Sequence, residues 1–412
     1  MDAKSVLKKE LANIKPSEKE LKEIKEKTSK LINELDSKLK KRKIIADIFI
    51  GGSLAKGTII KKDKYDIDIF VRFDKKYKDE QISELLAGVL KDARKVHGSR
   101  DYFQIVDKET IFEIIPVIKI AKPSEARNVT DLSYFHVSYI KSKINKNKKL
   151  ADEIMLAKSF AHAQGCYGAE SYIKGFSGYA LELLISYYGS FLNFIKKIKD
   201  KKKIIIDPEK FYKNQQHLLL DLNEAKLQSP IVYVDPTFKE RNALAALSEE
   251  CFEKLKKRAL EFLKKPSSRF FENKDLEEAL KKRYKSLKII ETRTEKQKGD
   301  IAGSKLKKFY EFLAFKLSKD FELIFKEFEY NEDENTGKNY FVLKQKKEII
   351  INGPPIISKE NLEKFKEKHK NLFIKQGKAY AKEKSRNLNE LIDSLKKDKS
   401  MKEMGITEIR LI

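Results

Sequence analysis

Asp66 and Asp68 stand two residues apart in the run Tyr65–Phe73, YDIDIFVRF. The run reads as a strand, and residues two apart on a strand face the same side. Two carboxylates presented at one point repel each other unless a cation sits between them. Hard oxygen donors of this kind select Mg²⁺, which keeps waters and binds phosphate oxygens. Just upstream lies Gly51-Gly52-Ser53-Leu54-Ala55-Lys56-Gly57-Thr58. Glycines let a backbone approach phosphates closely, Ser53 offers a hydroxyl and Lys56 a positive charge. Downstream, Glu113 sits inside IFEIIPVI among apolar neighbours, where a lone acid is costly to bury. We expect it to join Asp66 and Asp68 as a third metal-binding carboxylate. Three acids can hold two Mg²⁺ ions about 3.5–4 Å apart, a pair that activates an attacking hydroxyl and steadies a leaving pyrophosphate. The implied chemistry is nucleotidyl transfer with no covalent enzyme intermediate. A DxD or a GGS alone is often a solvated strand edge or loop. The specificity lies in their order: strand, GGS, a basic residue, Thr, DxD within a second strand.

These residues need a sheet to hold them. Lys43–Ile50 reads as a strand stopped by Gly51-Gly52-Ser53, and Ile111–Ile120 as another. Helices are expected over residues 17–40, with Ser17 and Glu20 forming a capping box, and over Glu80–Lys95. The mixture to about residue 125 is an α/β unit. From about 143 to 265 the pattern is mostly helical: Lys149–Gln164, Gly178–Lys199, Pro208–Asn223 and Arg241–Lys264. Between about 285 and 346 the order is strand, helix, strand, strand, a small α+β unit. Gly353-Pro354-Pro355 breaks the chain again, before a helix from about Lys359 and a lysine-rich end with a short strand-like tail.

The chain has 412 residues, too many for one ordinary domain of ~100–200. Hydrophobic residues make up 41%, which excludes a wholly disordered chain. Lys and Arg outnumber Asp and Glu by 89 to 63, a net charge of +26, which points to a polyanionic partner such as nucleic acid. Cys166 and Cys251 are too few for a disulfide framework or a zinc site, so a reducing cytoplasm is the expected compartment. No apolar run reaches the ~20 residues of a membrane span, so no membrane partner is expected. The start, MDAKSVLKKELANIK, has no apolar core of a secretion signal.

The head constellation resembles the polymerase-β-like nucleotidyltransferases. Further blocks extend the resemblance: Gly168-Ala169-Glu170, then Lys174-Gly175-Phe176-Ser177-Gly178-Tyr179 through Glu182-Leu183-Leu184 and Tyr188-Gly189-Ser190-Phe191. Asp235-Pro236 followed by Arg241-Asn242-Ala243-Leu244-Ala245, and Gly353-Pro354-Pro355, complete a series that is similar to the archaeal, class I CCA-adding enzymes (tRNA nucleotidyltransferases). The resemblance implies an α+β multidomain fold with a catalytic head (1–142), a helical neck and start of body (143–265), an α+β tail (266–350) and a C-terminal part of the body (351–412). It implies addition of C, C and A to the 3′ end of tRNA from CTP and ATP. It implies metal binding by Asp66, Asp68 and Glu113, and nucleotide binding by Ser53, Lys56, His136, Lys158, Tyr167 and Arg241, with Arg241 facing the incoming base. It also implies contact with the acceptor stem and TψC region, and a possible homodimer. Two positions depart from the commoner family residues. Lys56 stands where Arg is common, replacing a bidentate fork with a point charge, and Glu113 where Asp is common. His97, His162, His217 and His369 show no ligand spacing and are assigned nothing.

Basic clusters at Lys196–Lys203, Lys281–Lys288 and Lys359–Lys384, the last with Phe365, Phe373 and Tyr380 interleaved, suit a duplex backbone read by shape and phosphate contact. The nearest rival reading is another enzyme of the superfamily, such as a poly(A) polymerase or an oligoadenylate synthetase relative. A rival of another class is a catalytically silent RNA-binding module.

Overall fold

In the computed structural model, which describes residues 2–98, 100–273, 275–295 and 298–412, the chain folds as α+β in two units. One comprises Met1–Ala169 and Ile173–Asn273; the other comprises Glu170–Tyr172 and Lys274–Ile412.

The first unit opens with α1 (Ala3–Ile14) and α2 (Glu18–Lys41). The capping box of α2 forms as expected: Glu20 N donates to Ser17 Oγ at 3.2 Å, and Ser17 N donates to Glu20 Oε2 at 2.7 Å. Helix α1 has no counterpart in the sequence reading. Its lysines mask a short apolar stripe, and only packing of Val6, Leu7 and Ile14 with Ile154, Leu156 and Leu181 in one core reveals it. Then come β1 (Ala46–Ile50), α3 (Gly52–Lys56), β2 (Tyr65–Phe73), α4 (Asp79–Val89), β3 (Arg94–Val96), β4 (Tyr102–Asp107) and β5 (Thr110–Ile118). The helix expected to reach Lys95 ends at Val89, and the residues beyond it turn into β3.

These strands form one mixed sheet in the order β1-β2-β5-β4-β3, with β2 and β5 parallel and the other neighbours antiparallel. Ile67, Ile69, Val71 and Phe73 of β2 point to one face and pack with Leu35 and Leu39 of α2 and Ile82 and Leu86 of α4. Strand alternation puts Asp66 and Asp68 on the opposite face. The helices thus cover one side of the sheet, and the apolar drive to bury that side is what turns the carboxylates outward.

A helical layer follows: α5 (Ser133–Lys146), α6 (Lys149–Ala163), α7 (Gly178–Tyr188) and α8 (Phe191–Ile198). The single helix expected over Gly178–Lys199 is broken by Gly189, whose φ of 80° suits a helix C-terminus. The region to 265 is also less helical than expected. Strands β6 (Ile204–Ile206), β7 (Ile231–Asp235) and β8 (Phe238–Asn242) form a small sheet, and the last helix begins at Glu249 rather than Arg241.

The second unit has β9 (Leu287–Arg293), the helix Gly299–Asp320, β10 (Phe321–Asn331) and β11 (Thr336–Gln345), the expected order. Its four-stranded sheet runs β10-β11-β9-β15, where β12 (Glu348–Pro355), β13 (Asn371–Lys375) and β14 (Lys378–Lys384) make a separate sheet and β15 (Glu408–Leu411) returns to pair with β9. Among the described residues, no helix is long and apolar enough to cross a membrane.

Candidate active site

The sheet register decides which acids meet. Asp68 of β2 lies directly beside Glu113 of β5, and Asp66 beside Ile111. Neighbouring strands are about 4.8 Å apart and paired residues share a face, so Asp66, Asp68 and Glu113 stand on one side of the sheet. Their side chains differ in surroundings. Asp66 is exposed, with Lys62 Nζ 3.4 Å from its Oδ2. Glu113 accepts a hydrogen bond from Gln104 Nε2 at 2.9 Å, across the register pair of β4 and β5. Asp68 is half-buried; burial pushes its carboxyl above the ordinary value, Lys56 opposes that, and the Asp66 charge adds to it. Among the described residues, no group of three His, Cys, Asp or Glu side chains is gathered tightly enough to hold a metal ion as it stands.

The glycine turn lies against these acids. Gly51 N donates to Asp68 O at 2.8 Å, which ties α3 to β2. Gly52 has φ +55°, and a Cβ there would stand 1.6 Å from Asp68 Oδ2. Only glycine allows that approach. Although not gathered as a closed cage, the residues suit a cation: oxygen donors on one face, and a carboxylate, Asp68, raised by burial and further by the Asp66 charge, which a cation would relieve.

Lys56, at the end of α3, turns away from solvent and reaches Glu182 of α7, Nζ to Oε2 at 2.7 Å. Lys158 of α6 reaches the other oxygen of the same carboxylate at 2.8 Å and donates to Thr58 Oγ1 at 3.0 Å. Thr58 in turn donates to Glu182 Oε1 at 3.2 Å. All three charged side chains are buried, at 8%, 4% and 0% exposure for Lys56, Lys158 and Glu182. Burial pushes the Glu182 carboxyl up, but Lys158 and Lys56 hold it below its ordinary value.

A second buried carboxylate, Asp235 at the end of β7, gathers a second group. His136 Nε2 of α5 is 3.2 Å from its Oδ2, and Arg241 of β8 pairs with the same oxygen. Tyr179 Oη, Thr237 N and Thr237 Oγ1 donate to Oδ1 at 3.1, 2.8 and 2.7 Å. The His136 ring stacks on Tyr179, centroids 4.1 Å apart. Burial lowers the His136 imidazole below its ordinary value, against the pull of Asp235. Burial raises the Asp235 carboxyl, and the nearby His136 imidazole, the Arg241 charge and the Thr237 backbone N–H more than reverse it. Tyr179 and Glu182 are three apart on α7, on one helix face, so this helix holds both groups. Arg241 also lines a cavity of about 530 Å³ with Arg127, Ser177, Lys226 and Phe238.

Tyr167 follows α6. A Cβ on Gly178 would come 2.8 Å from its Oη and 3.8 Å from Lys158 Cε, so both side chains crowd the start of α7. His162 stacks on the Tyr167 ring at 4.0 Å. Burial, with Lys62 and Lys158 nearby, pushes its imidazole down to about 4. The unfolded chain takes up a proton near pH 6.5, while the folded state stays neutral to about 4. Stability is therefore lost as pH falls through that window, by about 3 kcal/mol at most. Thermal melts of wild type and His162→Gln at pH 7.5 and 5 check this: the wild type should lose more of its melting temperature on acidification.

The residues expected from the sequence all lie in the first unit, with Ser53 on α3. The sequence reading did not assign Glu182, Asp235, Tyr179 or Thr58 a role. For Glu182 the signal was present: a lone acid inside ALELLIS, the same argument that singled out Glu113.

Comparison with known proteins fits this geometry. A family model described as tRNA nucleotidyltransferase, second domain, matches residues 152–272, and one described as a Second Messenger Oligonucleotide or Dinucleotide Synthetase domain matches residues 1–132. The CCA-adding enzyme of Nanoarchaeum equitans is 36% identical over 364 residues, covering 86% of this chain and 88% of that protein. That of Methanocaldococcus jannaschii is 30% identical over 403 residues, covering 91% and 86%. The structure of the Cid1 poly(U) polymerase with Mg and 3′-dATP bound superposes with a TM-score of 0.51 over 65% of this chain and 98% of that one, at 14% identity, a likeness of fold. With this identity spanning most of both chains, and the fold of a nucleotidyltransferase carrying an acid-lined sheet, the chain belongs to the family of CCA-adding enzymes, the tRNA nucleotidyltransferases.

Proposed function

We propose that this protein completes tRNA by adding C, C and A to its 3′ end from CTP and ATP without a nucleic-acid template. Its family uses divalent metal ions, and we assign Asp66, Asp68 and Glu113 to hold two Mg²⁺. Bound there, the metal would supply Lewis-acid stabilisation of the reacting phosphate and lower the pKa of the attacking hydroxyl. The 3′ hydroxyl attacks the α-phosphate and pyrophosphate leaves. The Gly51–Lys56 turn takes the triphosphate, with the backbone near Gly52 and the Ser53 hydroxyl as donors and Lys56 and Lys158 as positive charge. Tyr167, crowded against Lys158, supports the same end of the nucleotide. His136 and Arg241, held by Asp235, face the base. The head, neck, body and tail divide the work, with the α+β tail over 266–350 gripping the acceptor stem and TψC region through its lysine-rich surface.

The observation that carries it is the register of β2 on β5, which sets three acids on one face beside a glycine turn. The test is a tRNA lacking its last three nucleotides, incubated with labelled CTP, ATP or both. The expected products are two C residues with CTP alone and a full CCA with both. A tail of A alone would point to a poly(A) polymerase, and no incorporation to a silent RNA-binding protein.

A further inference from the structure

Two lysines and one glutamate share a buried pocket, and the charges do not balance. Glu182 has no exposure, yet it lies 2.7 Å from Lys56 Nζ and 2.8 Å from Lys158 Nζ. Two ammonium groups that close to one carboxylate are also close to each other, and without the carboxylate they would repel in a poorly screened site. Each carboxylate oxygen takes one lysine, so the two are held apart at a fixed spacing. Thr58 closes the arrangement, accepting from Lys158 and donating to Glu182. The sum of the three is one net positive charge, and it lies near enough to act on Asp68. The lysines come from α3 and α6 and the glutamate from α7, so three elements are locked at this one point.

We infer that Glu182 is a positioning residue for the nucleotide's triphosphate: it spaces Lys56 and Lys158 as a paired cation that reads phosphate and not base. This rests on the proposed assignment of both lysines to the triphosphate. It also accounts for how Lys can serve at position 56. Lys is a flexible point charge, and a fixed carboxylate supplies the orientation that a guanidinium fork would have carried itself. A device that senses only phosphate should affect CTP and ATP alike.

The test is equilibrium binding of CTP, ATP and inorganic triphosphate to the full-length protein without RNA, with steady-state kinetics alongside. Glu182→Gln keeps the shape and removes the charge. It should weaken all three ligands by a common factor of about ten or more, since hydrogen bonds to charged groups contribute ~1.5–3 kcal/mol. KM should rise for CTP and ATP together, with a smaller fall in kcat. Glu182→Asp is one methylene shorter but charged, and should bind better than Glu182→Gln; a purely packing role predicts the reverse order. If Glu182→Gln does not fold, Thr58→Val, which removes the bridging hydroxyl, should show the same common weakening to a lesser degree. Lys56→Met and Lys158→Met separate the two levels of the argument. If both weaken triphosphate binding and the Glu182 and Thr58 variants do not, the positioning role is overturned and the site assignment survives. If neither lysine variant changes it, the assignment itself falls, and this inference with it.

Discussion

Asp68→Ala should abolish incorporation of both C and A, by at least about 10³-fold in kcat, which is roughly 4 kcal/mol of transition-state stabilisation. Affinity for tRNA should stay close to wild type, because the proposed grip on RNA comes from lysines spread over the surface and not from this acid. Asp66→Ala should lose activity on the same scale. The two variants should differ in stability, and the structure says how. Asp66 is exposed and faces Lys62, so its removal changes little in the fold. Asp68 is half-buried with its carboxyl pushed up by burial and by the Asp66 charge. A carboxylate in that setting destabilises the metal-free fold near neutral pH, so Asp68→Asn should melt higher than wild type in the presence of a chelator while being inactive. Melting curves and single-turnover assays on the same preparations check both statements. Full activity in either alanine variant would end the assignment of these acids to the reacting centre. A lower melting temperature for Asp68→Asn would mean that the carboxylate stabilises the fold, contrary to the burial argument.

Gly52→Ala is the second large effect. Gly52 and Gly57 both have positive φ, +55° and +65°. An alanine at either strains the backbone by on the order of 1 kcal/mol. Their surroundings are opposite. At Gly57 a Cβ meets nothing within 4 Å, whereas at Gly52 it would stand 1.6 Å from Asp68 Oδ2. Either the turn or the carboxylate must move, and a misplacement of about 1 Å at a reacting centre costs around 10²-fold in rate. Gly52→Ala should therefore lose about 10²-fold or more in kcat/KM, while Gly57→Ala loses a similar amount of stability and keeps most of its activity. Equal loss in the two would place the importance in the turn's conformation and not in the space beside Asp68.

Both predictions depend on parts of the molecule that differ in how visible they are in the amino-acid sequence. Strand β2 was legible to the residue, because Ile67, Ile69, Val71 and Phe73 recur at every second position with Asp66, Asp68 and Arg72 between them, which fixes the pleat despite Phe70. The capping box at Ser17 and Glu20 was legible for a similar reason, since its partners are three residues apart. The short strands β6, β7 and β8 were not. The short apolar runs of β6 and β7 fit a buried helix segment as well as a strand, and β8, FKERN, carries no apolar pattern at all, so pairing partners decide.

The chemistry divides in the same way. The types and spacing of Asp66, Asp68 and the Gly51–Thr58 turn are local, so the sequence by itself determined a carboxylate pair beside a phosphate-sized loop and the class of reaction that follows. Tertiary structure alone decided that Glu113 is the neighbour of Asp68, because that depends on the register of two parallel strands joined by a long connection. It alone brought Lys56 to Glu182, 126 residues apart in the chain, and His136, Tyr179 and Arg241 to Asp235. It alone returned the end of the chain to β9. The physical reason is common to all of these. Periodicity reports which face of an element is apolar, but a buried charge is tolerable only where its counter-charge arrives from another element, and that meeting exists only once the chain has folded.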